Sequence, residues 1–169
     1  LQIAPMTGRL NFPGHSLTWI VKGTFDLKPG GVAAAAAEQP FPTGDEHYPD
    51  DKEKTGSTRY ESDFAFLKPS ADLLLVGACH APGGRPVLSC PVTFRVGQKT
   101  RTLAVIGNRR WEKSWLRSKP TEPEPFTRMD LRYENSFGGG KFPANPVGKG
   151  FAEEKDDQEG KVWPLPNIE

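Results

Sequence analysis

Eighteen glycines and seventeen prolines are spread through the 169 residues, and this punctuation constrains the fold more than any other feature. They interrupt the apolar runs at short intervals without forming a low-complexity tract, a pattern that favours many short strands joined by many turns. The strand signals agree. From Ser16 to Leu27, Leu17, Trp19 and Val21 alternate with Thr18, Ile20 and Lys22, and Gly23 interrupts before Phe25 resumes the pattern, as at a bulge or bend. The stretch from Leu73 to Trp111 organises the chain: LLLVGACH, PVTFRV and RTLAVIG read as three strands closing on the basic and aromatic corner Asn108-Arg109-Arg110-Trp111. Leu73 to Val76 is apolar on both faces and predicts a central strand, whereas Val92, Phe94 and Val96 alternate with Thr93 and Arg95 and predict one wet face. A hairpin with a loop of four residues or fewer at Gly97-Gln98-Lys99-Thr100 joins the last two.

Elsewhere the signals are shorter. Val32 to Ala37 predicts a short strand, and Gln39 to Ser57, with three prolines and a charged run, predicts a surface loop. Glu112 to Arg117 predicts one helical turn carrying Trp115, stopped by Pro120. From Phe126 to Glu134, Met129, Leu131 and Tyr133 share one face against Arg128, Asp130, Arg132 and Glu134, the cleanest half-buried alternation in the chain. No internal repeat of fixed period is present. The expected fold class is all-β, an antiparallel β-sandwich or partly open barrel with long Pro/Gly-rich loops and little helix, in a single domain over residues 1–169.

Charge excludes some partners. Lys and Arg number 22 against 21 Asp and Glu, so no global field draws the chain to nucleic acid or to an anionic membrane, and any charged partner must meet a local patch. No apolar run approaches a membrane span, and the opening LQIAPMTGRL lacks the basic and apolar regions of a signal peptide. A cytoplasmic protein is the expectation. Cys79 and Cys90 lie on either side of Pro82-Gly83-Gly84-Arg85-Pro86 and could face each other if that segment were a hairpin turn. Such a cross-strand pair sits at the short limit for a disulfide, so two reduced, small buried residues are the expected state.

Residue chemistry points to no reaction. Gly138-Gly139-Gly140-Lys141 lacks the spacing of a phosphate loop, and Phe142-Pro143 follows where a helix should start. Cys79 and His80 are adjacent, so in a regular strand they point to opposite faces and cannot chelate one ion; no metal and no cofactor are expected. No nucleophile elbow or triad spacing occurs. An enzyme acting on carbohydrate or peptide would have to assemble Asp63, Asp72, His80 and Arg109, the one plausible cluster. The run Arg109, Arg110, Trp111, Lys113, Trp115, Arg117, Lys119 combines cations with indoles. With Glu112, Glu122 and Glu124 as counter-charge it suits a protein interface better than nucleic acid, since Trp and Arg most often carry interface energy.

One resemblance spans nearly the whole chain. The ordered set Lys22-Gly23-Thr24-Phe25, Ser62-Asp63, Lys68-Pro69, Asp72 to Gly77, Ala81-Pro82-Gly83, Val96-Gly97, Gly107 to Trp111, Pro125-Phe126, Tyr133 to Gly139, Asn145 to Gly150 and Leu165 to Glu169 resembles the bacterial domain-of-unknown-function family 2169. The chain departs from that pattern at Asn108, where the family has an acidic residue, and at Ser136, where Ala is usual. The resemblance implies an accessory or adaptor protein linked to type VI secretion, one that helps load toxic effectors onto the spike. It carries no active site over, and it implies that a C-terminal part follows this domain in longer members. The expected partner is a secreted effector or spike protein, met by Arg109, Arg110, Trp111 and Trp115 beside the glycine-rich loop residues Phe137, Gly138, Gly139 and Asn145. A structural fragment of a larger assembly protein is the third reading, and it would show itself as an exposed apolar face.

Overall fold

The computed structural model describes residues 1–8, 16–65, 70–113, 118–150 and 163–169. Lys68, Pro69, Trp115 and Arg117, each singled out above, lie outside the described residues. The chain divides into two compact units: residues 1–50 with 58–73, and residues 51–57 with 74–169. The fold is all-β, and every ladder between named strands is antiparallel.

The first unit holds three two-stranded ladders. Strands β1 (Gln2–Gly8) and β2 (Ser16–Lys22) pair over their full length, with Ile3 opposite Val21, Pro5 opposite Trp19 and Thr7 opposite Leu17. The break at Gly23 occurs where the alternation predicts it, and β3 (Phe25–Asp26) then pairs with β4 (Ala34–Ala35), inside the predicted short strand. Gln39 ties this region together. Its amide accepts from Thr24 N and donates to the carbonyls of Thr24 and Ala36. The expected loop after it contains β5 (Glu46–His47), which pairs with β6 (Thr58–Tyr60).

The second unit has its own three ladders. β7 (Ala78–His80) and β8 (Ser89–Val96) flank a short 3-10 turn at Pro82–Gly84. β8 pairs with β9 (Lys99–Ile106) around a two-residue turn, Gly97-Gln98, where Gly97 takes φ 58°. Glycine at the first central position suits the twist of such a tight hairpin. β10 (Trp111–Lys113) pairs with β11 (Ser118–Pro120), and β12 (Arg128–Asp130) pairs with β7. Val105, Cys79, Ala81 and Leu165 are its buried apolar residues.

Three expectations are corrected. Leu73 to Val76 forms no strand and is exposed. The partner of β7 leaves the ladder at Leu131, whose N–H donates to Gly77 O, and turns into a 3-10 helix at Tyr133–Asn135, so it does not continue beside residues 73–76, which have no strand partner among the described residues. The same turn ends the alternation predicted through Glu134 and leaves Tyr133 exposed. Finally, Cys79 and Cys90 do not share a hairpin: Cys79 stands opposite Met129 and Cys90 opposite Val105. Both are free thiols. Burial, a hydrogen bond with Cys90 and the repulsion of its charge push the Cys79 thiol up to about 11.

Candidate functional site

The corner after β9 is built on the last seven residues of the chain. Residues 163–169 run antiparallel along the edge of β9 and past it. Ala104 and Glu169 exchange both backbone bonds at 2.8 and 3.0 Å, Ile106 N donates to Asn167 O at 2.7 Å, Leu165 N to Arg109 O at 2.9 Å, and Trp111 N to Trp163 O at 2.9 Å. β9 is therefore paired on both sides, which explains why Val105 is fully buried. Gly107 then brings two backbones together. Its N–H donates to Leu88 O, and a Cβ there would collide with the backbone carbonyl of Glu124.

Asn167, 1 % exposed, is the hub. Its amide nitrogen donates to Ile106 O at 3.0 Å and to Asn108 Oδ1 at 3.1 Å, and its Oδ1 accepts from the Lys149 ammonium. The N–H groups of Asn167 and Ile168 both donate to Asn135 O. Asn145, also buried, braces the adjacent loop through Nδ2, which donates to Ser136 Oγ and to the carbonyls of Tyr133 and Phe137. Gly138 N donates to Lys149 O, and Lys149 N to Ser136 O. The segments around Asn108, Tyr133 to Gly139, Asn145 to Lys149 and Leu165 to Glu169 thus interlock in one polar core. Buried polar groups must be satisfied, and here each segment supplies the partners of another.

The residues predicted to meet a partner divide accordingly. Arg109 faces inward: its side chain is 16 % exposed, and its Nη2 donates to Pro166 O at 2.8 Å and to Glu169 Oε1 at 2.7 Å. Arg110 is exposed and stands 4.0 Å from Glu124. Trp111 is half-buried, and its indole nitrogen is buried without a partner among the described residues. Phe137 stacks at a tilt on Phe142, with ring centroids 4.9 Å apart. Gly138 and Asn145 are interior. Sequence reasoning missed Lys149 and Asn167 as site residues. The available signal was an asparagine set among Leu165, Pro166 and Ile168, a polar side chain in an apolar stretch.

Beside this core lies a cavity of about 220 Å³, lined by Asn108, Arg109, Arg110, Thr121, Glu124, Lys149 and Pro164. Lys149 is half-buried, and loss of hydration holds its ammonium below the usual lysine range.

The alternative catalytic residues fall in different units. Asp63 and Asp72 belong to the first unit, His80 and Arg109 to the second. The Asp63 carboxylate is committed to Lys22 Nζ at 2.7 Å and accepts from Thr43 N at 2.9 Å. Burial by itself raises its pKa, but the Lys22 and Thr43 bonds outweigh this and leave it below the usual aspartate value. His80 is exposed on β7 while its neighbour Cys79 is buried, as the strand geometry requires.

A second surface was not anticipated. On the β1–β2 hairpin, Ile3, Leu17, Trp19 and Val21 share one face and are 58 %, 55 %, 62 % and 61 % exposed. The alternation predicted that Leu17, Trp19 and Val21 share a face; the structure adds Ile3 to it and leaves that face open.

Among the described residues no helix is long and apolar enough to cross a membrane. The sequence model of a bacterial family, described as "Uncharacterized protein conserved in bacteria (DUF2169)", matches residues 14–169. No curated protein and no solved structure matches the chain.

Proposed function

The chain belongs to the bacterial family DUF2169, and from that premise we propose that it is a non-catalytic, protein-binding adaptor. The observation that carries this reading is the open apolar face of the β1–β2 hairpin, four large side chains in register and each more than half exposed. Contiguous apolar faces of this kind are normally covered by protein. Covering one contributes about 1.5–3 kcal/mol for each such side chain, before the costs of association are subtracted. Arg110 and Trp111 offer a second, polar contact of the type that fixes orientation at an interface. The finer part of the proposal rests on the family resemblance: a cytoplasmic adaptor or chaperone whose partner is a secreted effector or a spike protein of a type VI system.

The test is capture of purified spike and effector proteins from the same bacterium by the chain and by Leu17→Lys/Trp19→Lys. Both positions are exposed, so the variant should fold and unfold like the parent. The expected result is at least a tenfold loss of capture, equivalent to ~1.4 kcal/mol. Undiminished capture by a folded variant removes the hairpin face from the function. The same face also favours a second reading, in which the chain is part of a larger assembly protein and another domain covers it. Self-association of the isolated chain through this face, with no capture of either partner class, would put that reading first.

A further inference from the structure

Among the described residues, the cavity beside the Asn167 hub carries more cations than carboxylates. Arg109, Arg110 and Lys149 line it, against Glu124. Glu169 adds one more carboxylate, spent on Arg109. Lys149 donates to a neutral amide, Asn167 Oδ1, and no carboxylate among the described residues stands within ion-pair distance of it. Arg109 uses a single terminal nitrogen for both of its bonds, and its Nε is buried without a partner. A half-buried charge that is neither paired nor fully hydrated is costly, so an ammonium on a cavity wall with no carboxylate partner among the described residues favours the binding of an anion there.

We propose that this cavity binds a carboxylate group. Among the described residues, three cations against Glu124 and Glu169 leave one positive charge, which a carboxylate neutralises and a phosphate dianion would reverse. A cavity of about 220 Å³ has room for the carboxylate and several attached carbons, as a water molecule occupies roughly 30 Å³ in the liquid. The walls are set before any ligand arrives. Arg110 and Thr121 exchange bonds through Thr121 N to Arg110 O and Arg110 N to Thr121 Oγ1, Glu124 N donates to Asn108 O, and Lys149 N is fixed to Ser136 O. Such preorganisation keeps the cost of ordering low. The lining residues all belong to the second unit and the hairpin face to the first, and the proposal does not depend on the adaptor reading.

The test is a titration of the whole chain followed by backbone amide shifts at residues 108–110 and 149. Three probes are used: propionate, an acetylated and amidated Ala-Ala-Glu-Ala-Ala peptide, and inorganic phosphate. Both carboxylates should give saturable shifts with millimolar dissociation constants. Lys149→Met should weaken them at least tenfold, and Arg110→Gln, altered at an exposed position, serves if the first variant fails to fold. Tighter binding of the peptide assigns the site to an acidic side chain of a protein partner; equal binding assigns it to a free organic acid. Absence of saturation by either carboxylate up to ~50 mM, far above the millimolar range that weak sites occupy, overturns the proposal. Saturation by phosphate alone, or full binding by both folded variants, overturns it equally.

Discussion

Asn167→Ala removes the hub and should be among the most destabilising single changes in the second unit. The native side chain makes two neutral hydrogen bonds, to Ile106 O and Asn108 Oδ1, and accepts one from the Lys149 ammonium. A neutral bond contributes about 1 kcal/mol net and one to a charged group about 2 kcal/mol, so the loss is about 4 kcal/mol. That is roughly a thousandfold in the folding equilibrium and a large share of the stability of an ordinary domain. Three of the four tryptophans, Trp111, Trp115 and Trp163, lie in the second unit's sequence, so urea unfolding followed by their fluorescence reports on the right region. Asn167→Asp is the discriminating control. It pairs with Lys149 but turns carboxylate oxygens toward Ile106 O and Asn108 Oδ1, so it should remain at least ~2 kcal/mol less stable than the parent. If alanine costs under ~0.5 kcal/mol, the range of an ordinary surface change, or if aspartate matches the parent, the network does not hold the corner together.

Two further predictions concern titrating groups. Asp63 has a folded-state pKa below the ordinary aspartate value, so its contribution to stability is complete above that ordinary value and is lost as pH falls through the lowered pKa. Asp63→Asn should therefore be less stable than the parent at neutral pH, by no more than about 1 kcal/mol for a partly exposed pair. The gap should close on acidification, and a gap independent of pH would refute the assignment. Cys79, with its thiol at about 11, should be on the order of a thousandth thiolate at about pH 8 and nearly inert to thiol reagents in the folded chain. Native protein should label at Cys90 first and unfolded protein at both; equal labelling rates in the native state would contradict the burial of Cys79.

Much of the local architecture was legible in the residues. Period-2 alternation located β2 and β8, the run RTLAVIG located β9, Gly23 marked the break before β3, and Gly97 marked the hairpin turn. These are properties of a few neighbouring residues, which is why a sequence states them directly. Strand partners were harder. Leu73 to Val76 has the composition of a central strand and lies exposed because its neighbour in space turns away at Arg132. The motif segments from Asn108 to Glu169 stood out as a pattern whose physical reason was invisible, since they satisfy one another's hydrogen bonds across separations of 8 to 59 residues.

The sequence by itself determined an all-β chain of short strands, the positions of its tight turns, and which side chains share a face, because steric and periodic rules act within a few residues. Only the tertiary structure decided whether a face is covered. It turned Arg109 from a surface anchor into an internal clasp on Glu169, left Trp19 in the open, and placed Lys149 on a cavity wall with no carboxylate beside it among the described residues. Burial and charge balance depend on residues that meet only after the chain has folded, and no local pattern encodes that meeting.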